Sequence, residues 1–146
     1  MTFSSAVINV RSGQVTDKAE MLENKISGQI TDAAIEVHKV LGGPGLLEGV
    51  YEESLCQELN LRGLHTQRQI CLPIQYKGIA IGAPLRLDLL VEEKVIVEVK
   101  ATENNSPLHK AQLLTYLRSS KLKLGLVLNF GRVRLIDGLT RVVNGL

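Results

Sequence analysis

The chain has 146 residues, 45% of them hydrophobic, a net charge of +2, two cysteines and no tryptophan. That is enough for one domain with a real core and leaves little room for a second. The modest charge sets the chain apart from proteins that coat nucleic acid, and the scarcity of aromatic residues argues against a binder that stacks on single strands.

No apolar run is long enough to span a bilayer, and the N-terminus lacks the basic start and apolar stretch of a secretory signal. The expected location is therefore cytoplasmic, with no membrane contact. Cys56 and Cys71 have neither metal nor redox spacing and read as small core or half-core residues in a reducing compartment. The basic residues of the last third, such as Arg118, Lys121 and Arg132, read as solvated surface.

Residues 1–20 show no sustained periodicity and read as a flexible tail, with a short strand at Ala6–Val10. Residues 21–146 read as a single domain, and Met21, where the patterning begins, is an alternative start. From Ile26 to Leu41 the pattern is helical, with Ile30, Ala34, Val37 and Leu41 on one face. Gly42-Gly43-Pro44-Gly45 stops that helix. A second helix is expected from about Leu46 to Arg62, with Leu47, Tyr51, Leu55 and Leu59 inward, Val50 beside them, and Gly63 as its stop.

Strands follow at Gln69–Lys77 and Ile79–Ile81, separated by a Lys77-Gly78 turn, and at Leu85–Val91 and Lys94–Ala101 around Glu92-Glu93. Ser106-Pro107 suits a helix start, since serine caps and proline fits the first turn. That helix is expected to run to about Ser119. Leu122–Phe130 and Val133–Asp137 are expected as closing strands. The order α-α-β-β-β-β-α-β-β predicts an α/β (α+β) fold, a mixed central β-sheet flanked by helices.

The hairpin Leu85–Ala101 carries the chemical signal. Glu98 and Lys100 are two residues apart and share a strand face. If the hairpin is symmetric about Glu93, Asp88 lies opposite Glu98, with Cβ atoms roughly 5 Å apart. Two carboxylates so close, among Val and Ile, repel each other and lose hydration. A divalent cation removes the conflict, and Mg²⁺ (or Mn²⁺) suits carboxylate oxygens. Lys100 would then hold the attacking water and offset charge developing on a phosphate. The plain alternative is a salt-bridged strand face in which Lys100 neutralises Glu98.

Two further patterns stand beside it. Gln112 and Tyr116 are one helical turn apart and could reach over the hairpin; the plain reading is a polar helix rim with Tyr116 half-buried. Glu48 opens the second helix, where a negative charge suits the dipole, a reading that also covers Glu52 and Glu53; the sharper reading aims Glu48 at the hairpin as a further ligand. His38, His65 and His109 have no ligand spacing, although His109 falls close to the hairpin site.

The Gly45…Glu48…Tyr51 segment, with Ala34-Ile35-Glu36-Val37-His38-Lys39 before it, resembles the bacterial GxxExxY proteins of the PD-(D/E)XK nuclease superfamily. The likeness runs from about Ile26 to Val143. It takes in Arg86-Leu87-Asp88-Leu89-Leu90, Val97-Glu98-Val99-Lys100-Ala101, Gln112-Leu113-Leu114-Thr115-Tyr116-Leu117 and Gly125-Leu126-Val127-Leu128-Asn129-Phe130. Leu87 stands where the superfamily name implies proline, and Gly42-Gly43-Pro44 carries one glycine more than the usual turn.

The resemblance implies a restriction-endonuclease-like core. It makes Asp88 and Glu98 metal ligands with Glu48 as the acidic residue of the first core helix, and Lys100 the catalytic lysine. Gln112 and Tyr116 are similar to the Gln-x-x-x-Tyr motif of RecB-type nucleases. The implied function is Mg²⁺- or Mn²⁺-dependent cleavage of nucleic acid, DNA rather than RNA. The rival reading, favoured by small size and modest charge, is a non-catalytic module that binds nucleic acid or a protein; Lys100 speaks against it. A plain structural domain is the third reading, and a homodimer is left open.

Overall fold

Near-continuous apolar runs in the central strands give the sheet two faces to bury, and helices cover both. The computed structural model describes residues 10–146. In chain order these form helices α1 (Val10–Val40) and α2 (Glu48–Leu61), strands β1 (Thr66–Leu72), β2 (Gln75–Tyr76), β3 (Ile79–Ala80), β4 (Leu85–Val91) and β5 (Val95–Lys100), helix α3 (Pro107–Ser120), strand β6 (Leu124–Asn129), a 3₁₀ turn (Leu135–Gly138) and strand β7 (Leu139–Val143). Five strands make one mixed sheet in the order β1-β4-β5-β6-β7, and β2 and β3 form a separate two-stranded hairpin. Only the β5–β6 pair is parallel, as a crossover through α3 requires. Helices α1 and α2 pack on one face through Ile26, Ile30, Ala34, Val37, Tyr51, Leu55 and Leu59. Helix α3 packs on the other through Leu113, Tyr116 and Leu117.

Local signals account for most boundaries. Gly42, Gly43 and Gly45 all have positive φ, a region L side chains rarely adopt, so the helix cannot run through them. The Ser106 hydroxyl accepts the Leu108 N–H, with Pro107 in the first turn of α3. Among the described residues no helix is long and apolar enough to cross a membrane.

Five expectations are corrected. Helix α1 begins at Val10, so residues 10–20, read as tail, are helical; the rest of the expected Ala6–Val10 strand lies outside the described residues. Leu47 is 80% exposed, because it is the cap before α2 and not part of its inner face. Cys71 is exposed. The expected strand Val133–Asp137 is instead the 3₁₀ turn, with β7 immediately after it. The Arg134 and Asp137 side chains pair three residues apart, which a turn allows and an extended strand does not. The expected strand Gln69–Lys77 divides into β1 and β2 around Pro73, which has no N–H to give a ladder.

Candidate active site

The β4–β5 ladder pairs Leu89 with Val97, Leu90 with Ile96 and Val91 with Val95. That register puts Asp88 opposite Glu98, as the sequence predicts. The regular backbone ladder stops one step short of them. In its place the Asp88 N–H donates to Glu98 Oε2 at 2.9 Å, and the Val99 N–H donates to Asp88 Oδ2 at 2.8 Å. Each carboxylate is thus bound to the backbone beside the other, which fixes both at one end of the sheet.

The cause is a reversal of the pleat. Leu85, Leu87 and Leu90 pack in the α3 cluster, whereas Leu89 and Val91 pack under α1 and α2. Side chains two apart should share a face, so β4 changes faces at Asp88. Its neighbour β1 does the same one step across. Ile70 and Leu72 belong to the α3 cluster, but Arg68 reaches Glu52 of α2. Between them Gln69, which falls against Asp88 where the β1–β4 ladder skips a pair, has φ +54.

Burial makes the carboxylate pair chemically unusual. Glu98 is 3% exposed; burial first, then the charge of Asp88, pushes its carboxyl up to about 8, against the Asp88 N–H and Lys100, which favour the charged form. Asp88 is pushed up to about 6, chiefly by burial, with the Val99 N–H opposing and the charges of Glu52 and Glu48 adding to the rise. The ion pairs among the described residues are Glu58–Arg62, Glu52–Arg68 and Arg134–Asp137. Lys100 is in none of them, so a salt-bridged strand face is not what the hairpin forms. A buried and a half-buried carboxylate, neither in an ion pair and both offering only oxygen donors, fit a hard divalent ion, which needs few protein ligands.

The remaining candidates arrange themselves around this pair. Tyr116 is buried, and its hydroxyl is pushed up by burial and then by the charges of Glu98 and Asp88. His109, early in α3, is held below the usual imidazole value by burial and by Lys100, with Glu48 acting the other way. Gln112 is exposed on α3. Glu48 is exposed at the start of α2 and acts on Asp88 through its charge. No group of three or more His, Cys, Asp or Glu side chains among the described residues could hold a metal ion together, so the structure does not gather Glu48 with Asp88 and Glu98 as a third ligand.

The Gly-x-x-Glu-x-x-Tyr segment has a structural explanation besides. The Tyr51 hydroxyl donates to the Gly43 carbonyl at 2.7 Å and accepts the Leu46 N–H at 3.1 Å, and its ring stacks on Phe130 at 4.7 Å. Tyr51 therefore fastens the turn that delivers Glu48.

Two groups of residues near the site carry no sequence signal of their own. Glu52, Arg68 and Gln69 form one hydrogen-bonded cluster, visible beforehand only in Glu52 lying one helical turn after Glu48. Asn129 is fully buried and in register with Lys100. Its Oδ1 accepts the Thr102 and Gly131 N–H groups, and its Nδ2 donates to Thr102 Oγ1 and Asn105 Oδ1. Gly131 completes this joint, since a Cβ there would lie 2.2 Å from the Thr102 carbonyl oxygen. The loop between Lys100 and α3 is held at this point.

A mixed sheet between helices, with paired carboxylates and a lysine where one hairpin loses its ladder, defines a protein of the nuclease-fold class. The family comparison makes the assignment specific: the model of the PD-(D/E)XK nuclease superfamily matches residues 24–142, and the chain belongs to that superfamily. No curated protein and no solved structure matches the chain.

Proposed function

We propose that this protein is a divalent-metal-dependent nuclease that hydrolyses phosphodiester bonds, with DNA as its substrate. The observation that carries the reading is the Asp88–Glu98 pair: buried Glu98 accepts the Asp88 N–H, half-buried Asp88 accepts the Val99 N–H, and neither acid is in an ion pair among the described residues. Membership of the nuclease superfamily supports the same chemistry; the choice of DNA rests on that likeness.

Asp88 and Glu98 would hold the cation, Mg²⁺ or Mn²⁺, with Glu48 at its margin. The ion would supply Lewis-acid polarisation of a phosphate oxygen and acidify a water. Lys100, two residues along the same strand face, would orient that water and offset charge on the phosphate. Tyr116 and Gln112 would position the strand from α3. The rival reading is a module that binds nucleic acid without cutting it, which the modest net charge of +2 and the small size favour.

Incubation with single- and double-stranded DNA and with RNA, with and without Mg²⁺ or Mn²⁺, separates the two. Metal-dependent DNA cleavage lost in Asp88→Ala and in Lys100→Ala is the expected result. Binding without cleavage at any metal concentration would replace the enzyme with the module.

A further inference from the structure

We propose that Glu52 is a positioning residue of this site, which sets the reversed pleat on which the Asp88–Glu98 pair depends. Two neighbours in a strand point to opposite faces, yet Arg68 and Gln69 both reach one atom. Glu52 Oε2 accepts Arg68 Nη2 at 3.1 Å, Arg68 Nε at 3.3 Å and Gln69 Nε2 at 2.7 Å. This is geometrically allowed only because Gln69 has φ +54, a conformation that an L residue holds under constraint. Glu52 is 5% exposed, so the constraint is anchored in the α2 packing and not in solvent.

Gln69 lies opposite Asp88, where both strands change faces. Sheet neighbours must match their pleats to stay in register, and the β1–β4 register is the same on both sides of this position. Fixing β1 at Gln69 therefore fixes β4 at Asp88. That in turn presents the Asp88 N–H to Glu98 and the Asp88 carboxylate to the Val99 N–H. Glu52 acts on the site through Gln69 without joining the donor set, and its role is distinct from that of the exposed Glu48.

The test compares Glu52→Ala, Gln69→Ala and the double variant Glu52→Ala/Gln69→Gly. Glycine adopts positive φ without a clamp, so it should restore what the lost carboxylate removed. The first readout is hydrogen exchange of the Asp88 and Val99 amides in metal-free protein, which does not depend on the nuclease reading. We expect both single variants to exchange these two amides about tenfold faster than wild type, with Val97 and Ile96 unchanged and the double variant within about threefold of wild type.

The second readout, which rests on the proposed function, is Mn²⁺ affinity by calorimetry, expected to fall about tenfold in the single variants and recover in the double. If wild type binds no Mn²⁺, the proposed function fails and hydrogen exchange still decides the role of Glu52. Should Glu52→Ala not fold, Gln69→Ala, at an exposed position, carries the comparison. Unchanged exchange at Asp88 and Val99, or a glycine that restores nothing, would overturn the inference.

Discussion

Replacing Glu98 with glutamine is expected to destroy the site and strengthen the fold. Burial, and then the charge of Asp88 beside it, pushes the carboxyl up from its ordinary 4.5 to about 8. An acid whose folded value is raised binds its proton more tightly when folded. Its full contribution to stability is present below pH 4.5 and is lost as pH rises through 8. A displacement of one pH unit corresponds to about 1.4 kcal/mol. Because the unfolded chain ionises near 4.5 while the folded carboxyl keeps its proton up to about 8, stability falls by about 3 kcal/mol by pH 7 and about 5 kcal/mol above pH 9. Glutamine stays neutral, and its side-chain oxygen can still accept the Asp88 N–H now bound at 2.9 Å. Urea unfolding of wild type and Glu98→Gln in EDTA, from pH 5 to pH 9, reads the difference directly. The two proteins should be close in stability at pH 5 and diverge steadily toward pH 9, with the variant the more stable and inactive. A gap that does not widen with pH would refute the reasoning, because it would mean that Glu98 carries no burial penalty.

The same values give a proton count. At pH 7 Glu98 holds its proton and Asp88 has mostly lost its own, so Mn²⁺ binding should release about one proton, falling toward none above pH 9; calorimetry in buffers of differing ionisation enthalpy measures it, and no release at pH 7 would contradict the pair's assignment. Asn129→Ala strands the Thr102 and Gly131 N–H groups and should lower unfolding free energy by about 2–4 kcal/mol, read by urea denaturation. Tyr51→Phe keeps the ring stack on Phe130 but removes both hydroxyl bonds to the Gly43–Leu46 turn; a loss of about 1–2 kcal/mol is expected, and an unchanged midpoint would show that the turn holds without the tether.

How far the sequence reveals this molecule depends on the range over which each feature is set. The hairpin register follows from apolar patterning on both sides of Glu93, so Asp88 opposite Glu98 is legible before any coordinates. Helix stops and starts written in one to four residues, at Gly42–Gly45 and Ser106-Pro107, are legible for the same reason. The pleat reversal at Gln69 and Asp88 is not, because it arises from a contact between Glu52 and a strand 16 residues further on. Val133 to Asp137 alternates well enough to suggest a strand, but the Arg134–Asp137 pair and the fit of Gly138 against the Asn129 carbonyl favour a turn. Asn129 gives no local hint of its role, since its bonds go to Thr102 and Asn105 of the loop leaving the neighbouring strand β5 and to Gly131.

The two acids at the end of the sheet also set how the protein would drift in the laboratory. Each is held where a neutral side chain would rest more comfortably. A library screened for heat resistance alone, in chelator, should enrich amides at positions 88 and 98, which keep the bonds to the Val99 and Asp88 N–H groups. Sturdier descendants of this chain would be those that had quietly given up the two acids.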